Sequence, residues 1–173
     1  MRLDPLPIRD SLDRLREVAK AIPRPGCDWE TPPEFLPAPT REQWESTKRS
    51  LAVPLPGDLS EYLALSGGIR GMSVHNGYHI CGASDIVKMN STSDVWPPSE
   101  VSTGACTEPV LIVALDGGGN AFLFSPRSEN VWRWDHETGK MTTVAESFAG
   151  FLHRVAEDWT AYVQDREQWT YLV

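Results

Sequence analysis

The chain has 173 residues, 40% hydrophobic and 23% charged, a balance that suits one globular domain with its own core and excludes a disordered chain. A formal net charge of −8 argues against nucleic-acid binding, which needs a basic face, and no apolar run approaches the roughly 18 residues of a membrane span. Met1-Arg2-Leu3-Asp4-Pro5 puts an acid and a proline where an export signal needs apolar residues, and Cys27, Cys81 and Cys106 are too few and too scattered for a disulfide framework or a zinc knuckle. The expectation is a cytoplasmic protein with reduced thiols, no metal and no cofactor.

A helix is expected from about Ile8 to Ile22, because Ile8, Leu12, Leu15, Ala19 and Ile22 recur at spacings of three and four before Pro23 and Pro25. Prolines then exclude a helix or a central strand over residues 23–39. Trp29, Phe35 and Leu36 are costly to leave in water, so this stretch is expected to be an ordered, wrapped loop. Thr40 with Gln43 fits a capping box and opens a second helix with Trp44 and Leu51 on one face. Leu55-Pro56-Gly57-Asp58 starts a third helix with Leu59, Tyr62 and Leu63 inward. Gly67-Gly68 is expected to end it in the left-handed conformation.

The period then shifts to two. Asn76-Gly77, between Val74-His75 and Tyr78, signals a hairpin. A short helix is expected around Ser84 to Met89, followed by a polar loop through Trp96-Pro97-Pro98. Pro109 to Leu115 is nearly continuous in apolar residues and reads as a strand buried on both faces. Asp116-Gly117-Gly118-Gly119-Asn120 turns the chain, and strands follow at Ala121–Ser125, Val131–Asp135 and Met141–Val144. Phe148, Phe151, Leu152, Val155, Trp159, Tyr162 and Val163 form a stripe for a long helix from about Glu146 to Gln168, with Glu157-Asp158 on its wet face. The fold class is α+β: one domain, with a mainly antiparallel mixed sheet packed against N-terminal helices and a long C-terminal helix.

Signals of catalysis are weak throughout. The three glycines of residues 117–119 sit between apolar strands with no following lysine, so a hairpin is favoured over a phosphate loop. His75 and His79 have the spacing of zinc ligands on a helix, but Asn76-Gly77 argues against a helix there. In Asp135-His136-Glu137, neighbours along the chain point to opposite sides, and solvated turn residues are the simpler reading. Ser66 lacks the first glycine of a nucleophile elbow. No catalytic residue is assigned, and the chain is not expected to be an enzyme.

Four ordered pieces resemble the SUKH superfamily, which includes the fungal cell-wall synthesis regulator and many bacterial immunity proteins. They are Leu55-Pro56-Gly57-Asp58 running to Gly67-Gly68, the strand–turn–strand Leu111 to Phe124, Val131 to Glu137, and Val144 to Leu152. Ser66 stands where an Asn-type residue is usual. The pieces cover about residues 40–165, within one SUKH-like domain over 1–173. The resemblance implies a non-enzymatic immunity protein that occludes a polymorphic toxin, often a nuclease, whose basic cleft an acidic surface would meet favourably. The alternatives are a regulatory scaffold, as in the fungal members, and a small-molecule binder using a groove near the glycine turn.

The expected partner is a cognate toxin protein, with no nucleic acid and no membrane, and the free chain is expected to be a monomer or weak homodimer. Trp132 and Trp134 share one strand face, where one of them could be an exposed anchor; the competing reading is that both are core. Asp116, Asn120, Asp135 and Glu137 at the adjoining turns, and Trp29 in the proline-rich loop, complete the candidate contact set.

Overall fold

Periodicity at the N-terminus becomes a helix, α1 (Ile8–Ala19), which buries Ile8, Leu12, Leu15 and Ala19. Ile22 reaches the core from the turn that follows, so the apolar pattern outlasts the helix by three residues. The computed structural model describes residues 7–22, 26, 30–51, 53–71, 77–91, 100–103 and 106–172. Within the proline-rich stretch, Glu34–Phe35 form a two-residue strand, β1, that pairs antiparallel with Arg70 and Ile69. It lies at an edge of its sheet, the one place where Pro33 and Pro37 on either side leave room for a strand.

The capping box forms as expected at the start of α2 (Arg41–Ser50). Gln43 N donates to Thr40 Oγ1 at 3.2 Å and Thr40 N donates to Gln43 Oε1 at 2.8 Å. Trp44 is half-buried and Leu51 buried, while Thr47 is the one buried residue within the helix. α3 (Gly57–Leu65) buries Leu59, Tyr62 and Leu63. Its Asp58 carboxylate accepts from Leu59 N at 2.7 Å and from Ala149 N at 2.9 Å, joining the starts of two helices far apart in the chain.

The glycine pair after α3 works differently from expectation. Helix α3 ends at Leu65, Ser66 is extended, and Gly68 begins the strand β2 (Gly68–Arg70) with φ +114°. These glycines allow close approach of backbones rather than a left-handed cap. A Cβ on Gly67 would lie 2.2 Å from the Pro37 carbonyl oxygen, and one on Gly82 would lie 1.9 Å from that of Gly67. Ser66 Oγ accepts from Gly68 N at 3.1 Å, which secures the departure from the helix.

β2 pairs antiparallel with β3 (Tyr78–Cys81), and Gly71 N donates to Tyr78 O at 2.8 Å. Tyr78 therefore opens a strand, but its partner strand is Gly68–Arg70, and Val74, His75 and Asn76, on which the expected Asn-Gly hairpin rests, lie outside the described residues. α4 (Ala83–Ser91) follows; Trp96-Pro97-Pro98 is again outside. The apolar run at Pro109 divides at Val110, a correction to the single strand expected. β4 (Glu100–Thr103) and β5 (Cys106–Pro109) form a separate two-stranded sheet, and β6 (Leu111–Asp116) enters the main one. β7 (Ala121–Phe124), β8 (Val131–Trp134) and β9 (Met141–Ala145) continue it. The seven strands lie in the order β1-β2-β3-β6-β7-β8-β9, every neighbouring pair antiparallel.

The last helix, α5 (Phe148–Val163), spans the apolar stripe and is shorter at both ends than the expected Glu146 to Gln168. Ser147 caps it, accepting from Gly150 N at 3.0 Å, and turns with positive φ at Asp165 and Gln168 carry the chain away. α5 packs chiefly on α1 and brings Phe148 and Phe151 against the sheet. The ring centroids of Phe122 and Phe151 are 5.0 Å apart, and those of Tyr62 and Phe148 are 4.9 Å apart. Each fully buried Phe contributes roughly 2–3 kcal/mol through area removed from water. The architecture is α+β in one domain, and no described helix is long and apolar enough to cross a membrane.

Candidate functional site

The strand turns at one end of the sheet carry most of the residues nominated from sequence. Asp116 closes β6 and folds its carboxylate over the glycine turn. Its Oδ1 accepts from Gly118 N at 2.9 Å and Asn120 N at 2.8 Å, and its Oδ2 accepts from Asn120 Nδ2 at 2.7 Å. Gly119, at φ +94°, takes the backbone conformation that closes this turn. Because the turn joins two antiparallel strands, the hairpin reading holds over the phosphate loop.

Asn120 links this turn to the next one. Its Oδ1 accepts from His136 N at 3.1 Å and lies 3.0 Å from His136 Nδ1, tying the β6–β7 turn to the β8–β9 turn. Asp135 builds the second turn, with Oδ1 accepting from Glu137 N at 3.1 Å and Thr138 N at 2.9 Å. The Thr138 backbone N–H, its hydroxyl and the nearby Arg133 hold the Asp135 carboxyl below the ordinary aspartate range. Asp116 and Asn120 are buried, Asp135 is half-buried, and His136 and Glu137 are exposed. The structure thus joins four of the nominated residues at one edge and leaves Glu137 the most accessible of them.

Trp132 and Trp134 do share a face, opposite Leu123 and Ala121. Neither is exposed: 5% and 9% of their surfaces remain accessible, which corrects the expectation of an exposed anchor in favour of the core reading. They form a second apolar cluster with Val110, Ala121 and Leu123, on the sheet face away from the main core. Alternation explains it, since Phe122, Phe124 and Val131 point to the other face. Trp29 lies outside the described residues.

One polar residue went unrecognised as interior. Asp158, expected on the wet face of the last helix, is fully buried. Its carboxylate accepts from Tyr78 Oη at 2.5 Å, Trp169 Nε1 at 2.8 Å and Leu172 N at 2.9 Å. Burial and the adjacent Asp158 carboxylate push the Tyr78 hydroxyl well above its ordinary pKa. The signal was present in the spacing, because Asp158 falls seven residues after Phe151 and four before Tyr162, inside the apolar stripe. Glu157 beside it points outward and pairs with Arg14 of α1.

Elsewhere among the described residues, His79 and Cys81 meet at Asp85. His79 Nε2 lies 3.3 Å from Asp85 Oδ2, and the buried Cys81 thiol is pushed up by burial and by Asp85, away from the reactive thiolate. Among the described residues no group of three or more His, Cys, Asp or Glu side chains is placed to hold a metal ion.

In comparison with known families, the profile of the SMI1 / KNR4 family (SUKH-1) matches residues 38–154. That span takes in α2 to the first part of α5 and every strand of the main sheet except β1. No curated protein matches the chain.

Proposed function

Because the chain belongs to the SMI1 / KNR4 family (SUKH-1), we propose that it is an immunity protein that binds a polymorphic toxin domain and blocks it by occlusion, without catalysis, in the cytoplasm. The family match over residues 38–154 is the observation that carries this reading. The turn edge at Asp135–Glu137 is a contact region, with Asp116 and Asn120 fixing its shape from beneath and Trp132 and Trp134 stiffening the sheet behind it. Trp29 remains a contact residue on the strength of the sequence alone.

Charge enters through the acids at the surface. Glu30, Glu108, Asp116 and Asp158 are buried, while no Lys or Arg among the described residues is. Exposed acids such as Glu137 are the ones that can meet a basic partner directly. The test is co-expression with the toxin domain encoded by the neighbouring gene. Cells carrying both are expected to grow as well as cells carrying neither; growth arrest despite full expression of this chain refutes the reading.

A further inference from the structure

Between α2, α4 and the chain at Leu36–Pro39 lies an open groove of about 480 Å³, within the roughly 300–1,000 Å³ of ligand-sized sites. The α2 residues that line it are Gln43, Ser46, Thr47 and Ser50. Their spacing of three, four and seven is the stripe that a helix normally fills with apolar side chains to close onto its protein. Here the stripe is small and neutral. Of these four only Thr47 is buried, its Oγ1 donating to Ala83 O at 3.1 Å, while α2 packs on the core through Trp44 and Leu51 on either side of it. The facing wall is apolar, formed by Leu36, Pro37, Pro39 and Val87.

No charged side chain lines the groove, although Arg41, Glu42, Glu45, Lys48 and Arg49 are all exposed on the same helix. A charged group entering would find no counter-ion among the lining side chains, so the lining favours an uncharged occupant. A hydrogen-bonding stripe opposite an apolar wall suits an extended backbone that carries apolar side chains. From Gln43 to Ser50 the helix rises roughly 10 Å, the length of about three extended residues.

We propose that this groove receives an uncharged extended segment of the partner protein, about three residues long. Its backbone bonds to Gln43, Ser46 and Ser50, and an apolar side chain lies on the Pro37–Val87 wall. The proposal rests on the partner-binding reading above and names where part of that contact is made. Nothing in it requires the strand-turn edge, which contacts the partner separately.

The test is the double substitution Ser46→Arg with Ser84→Arg, at two exposed lining positions, with an unchanged melting temperature as the check on folding. In calorimetric titration with the catalytically inactivated toxin domain, the variant is expected to bind at least tenfold more weakly than the wild type. Equal affinities would overturn the groove and leave the partner reading intact. A toxin that fails to bind the wild type overturns the partner reading, and the groove is then judged by a second arm. Random heptapeptides displayed on phage are selected on the wild type and counter-selected on the variant. Enrichment of uncharged sequences with an apolar residue is expected; charged sequences, or no enrichment, overturn the proposal. A fall in the mass of the free protein on substitution would assign the groove to a second copy of this chain, which also overturns it.

Discussion

The Tyr78 hydroxyl on β3 donates to the Asp158 carboxylate on α5 across eighty positions of sequence, and Trp169 and Leu172 reach the same carboxylate from beyond the helix. One buried side chain thus joins the sheet, the last helix and the segment that follows it. Asp158→Ala leaves three donors without an acceptor, and buried unsatisfied groups cost about 1–3 kcal/mol each. A loss of roughly 3–5 kcal/mol is expected in urea denaturation. Asp158→Asn, which keeps one acceptor oxygen, is expected to lose less. A loss below 1 kcal/mol for the alanine variant contradicts this role.

Gly82→Ala tests the close approach of backbones beside α3. The added Cβ would lie 1.9 Å from the Gly67 carbonyl oxygen and 2.6 Å from Gly68 N, both backbone atoms with little freedom to retreat. Destabilisation of about 3 kcal/mol or more is expected from overpacking, read as a fall in melting temperature. Gly117→Ala, at a site with open space around it, serves as the comparison and is expected to cost far less.

How far these features are legible in sequence depends on whether the signal is local. Thr40 and Gln43 announce their capping box because both partners lie within one helical turn. The turn at Asp116–Asn120 is legible for the same reason. The β4–β5 hairpin was hidden because Pro109 and Val110 continue the apolar run into Leu111, and nothing in that run marks where one sheet ends and another begins. Asp158 was misread because acids usually mark a solvated face, and its three donors lie 11 to 80 positions away. Trp132 and Trp134 alternate correctly, but alternation assigns a face without saying whether that face is covered.

Asp135 supplies a pH dependence. Its folded-state pKa is depressed, so its contribution to stability is fully present above the ordinary aspartate value of 3.8 and is lost as pH falls through the lowered folded value. Asp135→Ala is therefore expected to have a lower urea midpoint than the wild type at pH 7. The gap should narrow progressively below pH 4. A gap that stays constant down to pH 2 would contradict the assignment.

Steering by the exposed acids gives a kinetic expectation. With a formal net charge of −8, association with a basic toxin should slow roughly three- to tenfold between 50 and 500 mM salt. Stopped-flow mixing at several ionic strengths measures it. Rates independent of salt would remove electrostatics from the recognition.

An inhibition titration tests toxin occlusion most directly. A toxin domain encoded beside this chain's gene, as the proposed function expects, is assayed for its own activity while this protein is added in increasing amounts. Activity is expected to fall linearly to zero and to stay there beyond a fixed molar ratio, as tight occlusion requires. Full activity retained in the presence of a large molar excess would contradict it.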